Sequence, residues 1–175
     1  MIRERDMQLL NKKTESKEVK SMNDNGSSYI SYSQKHNEIV ESGSVAIKKY
    51  LSEADYDEKR SLLLCLDRYL DPYFGYNLPF FDEIILFLQE QLFQEQDRDI
   101  KDDLFHLLTD YSREQLDYLA ERIDQVEPHD LADALYAIGM TYNKKYVPLL
   151  LNYENHENPI VQRVARDALK ELSKI

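Results

Sequence analysis

The chain has 175 residues, 42% of them hydrophobic, with 4 Gly, 5 Pro, a single Cys and a formal net charge of −11. That length and apolar content exclude wholesale disorder and suit one domain with a real core. One Cys excludes an internal disulfide, no run reaches the roughly 18 apolar residues of a membrane helix, and scarce Gly beside plentiful Leu, Glu, Asp and Lys favours helices over a turn-rich β fold.

Residues 1–20 offer only Ile2, Leu9, Leu10 and Val19 as apolar anchors among many charges. They predict a lone helix or an unstructured arm. No apolar run follows the charged start, so a secretory signal is not expected and the cytoplasm is the expected location. Asn23 to Ser28 has linker composition, and Tyr29 and Tyr32 are candidates to pin it to the body. The expected division is therefore an arm and linker over 1–32 and a helical domain over 33–175.

A first helix is expected over 34–52, with Ile39, Val40, Ala46, Ile47, Tyr50 and Leu51 in its stripe. Gly43 interrupts it at a cost of about 1 kcal/mol relative to Ala, which marks close packing or a bend. A second spans 55–70, with Leu62, Leu63, Leu66, Tyr69 and Leu70 inward and Cys65 as a buried, inert thiol. Pro72, Gly75 and Pro79 break the chain in an aromatic loop. Residues 80–95 form a third helix, apolar over more than half its circumference and therefore central.

The fourth helix covers 97–111, with Asp97 and Asp99 at its positive end and His106 at the edge of the core. Ser112-x-x-Gln115 reads as a capping box opening a fifth helix. Glu127-Pro128 opens a sixth, which Gly139 helps to end. Asn143 and Asn158 are the N-caps expected for the last two. Val161, Val164, Ala165, Ala168, Leu169 and Leu172 form one apolar stripe of the final helix. Eight helices then pair as four hairpins whose second helices begin near Asp57, Asp99, Pro128 and Pro159, at spacings of 42, 29 and 31 residues. A hairpin this small cannot bury its apolar side alone and has to stack on others.

Residues 134–172 carry Gly139, then Tyr146-Val147-Pro148-Leu149-Leu150-Leu151, then Asn158-Pro159-Ile160-Val161 leading into Arg163, Ala165, Ala168 and Leu169. This order resembles a HEAT-type repeat, with the match weak upstream. The resemblance implies an all-α, superhelical solenoid used as a binding scaffold, in a family where enzymes are uncommon.

Chemistry-bearing motifs are few. The sequence has no G-x-x-x-x-G-K-[ST] loop, no G-x-S-x-G elbow and no C-x-x-C, and 4 scattered Gly make a backbone phosphate cradle hard to build. Asp97 to Asp103 lacks the Gly and the downstream Glu of a calcium loop, so helix-start carboxylates are expected there. Some HEAT-type hydroxylases hold di-iron through several His-Glu pairs; only His156-Glu157 matches, and His129-Asp130 departs from that pattern. The expectation is no catalytic residue, no metal and no cofactor. A metal-dependent or cofactor-handling protein using His129, His156 and Glu157 is the alternative.

Charge is the stronger signal. Residues 53–133 hold 22 acids against 7 bases, a balance of −15, between mildly basic ends. Such a surface repels nucleic-acid backbones and attracts a basic protein. With 13 Tyr and no Trp, Tyr50, Tyr69, Tyr111 and Tyr136 suit core edges, while Tyr73, Tyr76, Tyr118, Tyr142 and Tyr153 fall on loops or off the stripes. The expected function is non-enzymatic binding of a basic protein through Asp99, Asp102, Asp103, Asp117, Tyr118, Glu121 and Asp124, without nucleic acid or membrane, as a monomer or weak homodimer. A sharper form is a bacterial immunity protein that neutralises a basic toxin.

Overall fold

The computed structural model describes residues 30–113 and 115–174. The predicted arm and Tyr29 lie outside them. Among the described residues there are nine α-helices and no strand: α1 (Gln34–Glu41), α2 (Ser44–Glu53), α3 (Tyr56–Leu70), α4 (Phe81–Leu92), α5 (Arg98–Tyr111), α6 (Asp117–Glu121), α7 (Leu131–Met140), α8 (Val147–Leu151) and α9 (Pro159–Leu172). Short 3-10 turns cover Pro72–Phe74, Ile123–Gln125 and Lys144–Tyr146.

Four Asx residues precede the helices that pack in succession, α3 on α5, α5 on α7 and α7 on α9. Asp55 accepts from the Glu58 amide, Asp97 from the Asp99 and Ile100 amides, and Asn158 from the Ile160 amide, each meeting amides that a helix start leaves without an internal partner. Asp130 holds the same position before α7 but makes no side-chain cap bond. On the other side α2 packs on α4, α4 on α6, and α8 on α9. The main core runs from Val40 to Tyr146, and a second cluster of Leu131, Leu135, Leu150, Val161 and Leu172 closes the C-terminal end.

Four expectations are corrected. The helix predicted over 34–52 breaks at Gly43, whose φ of +100° is a backbone that only glycine adopts without strain. The turn lets Val40 and Ile47 both reach the core. The capping box at Ser112 does not form. Ser112 is instead the buried C-cap of α5, and the amides opening α6 find distant partners: Leu116 donates to the Tyr146 hydroxyl at 2.8 Å and Leu119 to Gln89 Oε1 at 3.2 Å. Nor does Gly139 end its helix. It lies inside α7 because a Cβ there would come 2.6 Å from the Ala168 Cβ on α9. The helix opened by Pro128 begins later, at Leu131.

Tyr32 packs against the core and its hydroxyl accepts from Arg68 Nη1 at 3.0 Å. Cys65 is fully buried, and burial pushes its thiol up to about 11. No described helix is long and apolar enough to cross a membrane.

Candidate functional site

The helices α3, α5, α7 and α9 leave three adjoining grooves. One of about 240 Å³ between α3 and α5 is lined by Ile30, Arg60, Leu64, Asp67, Asp103 and His106. The next, about 540 Å³ between α5 and α7, shares His106 and adds Arg98, Asp102, Asp110, Asp133 and Tyr136. A third, about 470 Å³ between α7 and α9, shares Tyr136 and has Gly139, Met140, Val164 and Ala168 among its walls, with Arg163, Asp167 and Glu171 on its rim. His106, expected at the core edge, projects outward with its side chain 63% exposed, because Phe105 and Leu107 take the inward positions of that turn. Tyr136 was likewise expected at a core edge and is 50% exposed.

The acids of this face are not alike. Arg60 donates to both carboxylate oxygens of Asp103, at 2.6 and 3.0 Å, and the Tyr56 hydroxyl donates to Asp99 at 2.6 Å. Bidentate guanidinium contacts of this kind fix geometry as well as charge. Among the described residues Asp102 and Asp133 have no ion-pair partner. Partial desolvation, with Asp102 and Asp130 nearby and only Arg98 opposing, pushes the carboxyl of the exposed Asp133 above its ordinary range.

Four of the predicted binding residues fall elsewhere. Asp117 and Tyr118 line a separate groove of about 390 Å³ against α4. Asp117 is held below the usual carboxylate range by the Lys145 ammonium at 2.8 Å, helped by the Tyr146 hydroxyl. Tyr118 lies under the Arg122 guanidinium, 3.9 Å from its ring centre, and Glu121 pairs with Arg122 at 3.6 Å. Asp124 is exposed on the 3-10 turn after α6. The seven residues thus divide into Asp99, Asp102 and Asp103 on α5 and four around α6.

Between α5 and the residue that precedes α7 lies a buried ion pair that periodicity does not announce. Lys101 and Asp130 are 6% and 4% exposed and meet at 2.9 Å. Glu127 and His129 join them, with His129 Nε2 3.2 Å from Asp130 and Nδ1 3.5 Å from Glu127. Ligand atoms of Glu127, His129 and Asp130 lie within 4.8 Å of one another, close enough to hold an ion. The Lys101 ammonium, 2.9 Å from Asp130 and 3.9 Å from Glu127, already supplies the positive charge this group accommodates. No such group among the described residues includes His156 or Glu157. His156 accepts from the Asn158 amide instead.

A second constellation was missed entirely. Ser33 Oγ is 3.2 Å from His36 Nδ1, and His36 Nε2 is 3.1 Å from Glu58, which also accepts from Lys35 and the Tyr50 hydroxyl. It looks like a Ser-His-Glu relay. However, Nδ1 accepts the Ser33 backbone amide at 3.0 Å, so that nitrogen is occupied as the N3 partner of a capping box at α1. The Lys35 ammonium foremost, with a hydrogen bond from His36, holds Glu58 below its ordinary range.

Among the described residues two other than glycine have positive φ: Arg113 at +55° and Tyr142 at +53°, each one residue past the C-cap of α5 and α7. Glycine is favoured there. Arg113 places its guanidinium 3.9 Å from the Phe81 ring centre. Tyr142 is 47% exposed at the α7/α9 groove, and its hydroxyl makes only a 3.8 Å contact with Met140 Sδ.

No family model, curated protein or solved structure matches this chain.

Proposed function

We propose that the chain is a non-enzymatic helical-repeat module that binds a basic protein through the face built by α3, α5, α7 and α9. It acts in the cytoplasm as a monomer or weak homodimer. The observation that carries this reading is the pair Asp102 and Asp133, like charges facing one groove with no ion-pair partner among the described residues. Both are exposed, and Arg98 in the same groove offsets their repulsion only in part, so a further cation from a partner is favoured there. The succession α3, α5, α7, α9 supports a HEAT-like superhelix, in which each apolar side is covered by the next helix. The Gly139–Ala168 contact falls within the residues that carry that resemblance.

A sharper form is an inhibitor that masks a basic toxin, and a co-transcribed toxin gene beside this one would support it. The binding test compares the wild-type chain with an Asp102→Lys, Asp133→Lys variant. Asp103 is a poor choice for reversal because it holds Arg60. Proteins captured from the native host are identified, and their affinity is measured at two salt concentrations. Basic proteins retained by wild type and lost by the variant are expected, with affinity falling as salt rises. Equal capture by both chains refutes the proposal.

A further inference from the structure

The α7/α9 groove differs from its neighbours in chemistry. Gly139 and Ala168 bring the two helices so close that the groove between them is lined by small and apolar atoms, with Val164 and the flexible Met140 beside them. At its edge stands Tyr142, in a left-handed conformation that costs a non-glycine residue about 1 kcal/mol or more. The conformation closes the end of α7, where the Tyr142 amide donates to the Gly139 carbonyl at 3.1 Å, but the side chain gains little from the fold: the ring is half exposed and the hydroxyl contact is weak. Residues kept in such conformations cluster at binding sites. Tyr136 is exposed as well and walls both this groove and the acidic one beside it.

We propose that this groove seats an apolar side chain of a partner protein, while a Lys or Arg close by in the same partner segment reaches Asp102 and Asp133 across Tyr136. The proposal rests on the acidic face being the binding face and specifies what the partner presents there: an amphipathic segment, apolar and cationic residues in one stretch. Tyr136 and Tyr142 are its anchors, since large, stiff rings with a polar tip dominate interface energetics. Charge selects an external basic partner over the other occupants. Asp167 and Glu171 outnumber Arg163 on the rim, and Asp102, Asp110 and Asp133 outnumber Arg98 next door, so a second copy would set acid against acid. Residues 1–29 carry six basic and five acidic side chains, too balanced to complement this face.

The test is fluorescence anisotropy on the full chain with a labelled amphipathic peptide of Leu and Lys, about 12 residues long. Two controls carry Ser in place of Leu or Glu in place of Lys. The Leu/Lys peptide is expected to bind, to shift the Met140 and Ala168 methyl resonances, and to exceed each control by about tenfold or more. Tyr142→Gly, which keeps the left-handed turn without its strain and removes only the ring, weakens binding by about tenfold while the melting temperature holds or rises. If the Ser peptide binds equally and Tyr142→Gly changes nothing, yet Asp102→Lys with Asp133→Lys abolishes binding, the apolar anchor is wrong and the acidic-face reading survives. If neither set of variants matters, both fall. Tighter peptide binding after removal of residues 1–29, or a dimer that Tyr142→Gly dissolves, assigns the groove to the chain itself and overturns the proposal.

Discussion

Helix α5 is bordered by two seams of opposite character. Toward α3 its acids are matched: Arg60 grips Asp103, and Tyr56 donates to Asp99. Toward α7 one ion pair is buried, Lys101 with Asp130, while Asp102 and Asp133, in the groove of that seam, are left without one. The same helix therefore spends its charge in two ways. On one side carboxylates hold the fold together, and on the other they load the groove with repulsion. A count of acids along the sequence merges the two.

The largest effect is expected at the buried pair. Lys101→Met leaves Asp130 charged and nearly without solvent, a loss of about 3 kcal/mol or more in urea unfolding. Adding Asp130→Leu restores most of it, because Asp130 makes no side-chain cap bond at α7 and its charge no longer needs a partner. A double variant no more stable than the single one would mean that the pair does something besides neutralise itself.

Next comes the α7/α9 contact. Gly139→Ala places a methyl 2.6 Å from the Ala168 Cβ and costs about 1–3 kcal/mol by overpacking. Ala168→Gly in the same chain relieves it, and calorimetry of the four combinations reads the coupling. At the matched seam Arg60→Met keeps the aliphatic stem but frees Asp103, a partly solvated carboxylate, for a loss of about 1 kcal/mol.

The smallest effect has the opposite sign. The Asp133 carboxyl titrates above its unfolded value, so its penalty is absent at low pH and sets in as pH rises through the carboxylate range. Asp133→Asn is expected to gain less than about 0.5 kcal/mol near neutrality and nothing near pH 3. Glu58 behaves in reverse. Lowered by Lys35, it contributes stability above the ordinary carboxylate range and loses it as pH falls through its depressed value. Stability curves of wild type and Asp133→Asn that stay parallel from acid to neutral pH would place Asp133 among the matched acids.

Much of the fold was legible because helix stripes and caps are local. The starts at Asp55, Asp97 and Asn158 and the burial of Cys65 follow from residue type and spacing. The candidate site was legible only in part. Asp102 was found from charge alone, while Asp117 looked equivalent in the sequence and is neutralised by Lys145, 28 residues away. Asp133 and Tyr136 were not singled out for binding because their surroundings come from α5 and α9.

Periodicity by itself determined an all-helical chain with its apolar stripes, since one helix face is set by residues three and four apart. Tertiary structure alone decided where α6 begins, why Gly139 is small, and which acids remain without a partner. Each of those depends on a group supplied from another helix, such as the Tyr146 hydroxyl, the Ala168 methyl or the Arg60 guanidinium, and chain-local spacing carries no information about it.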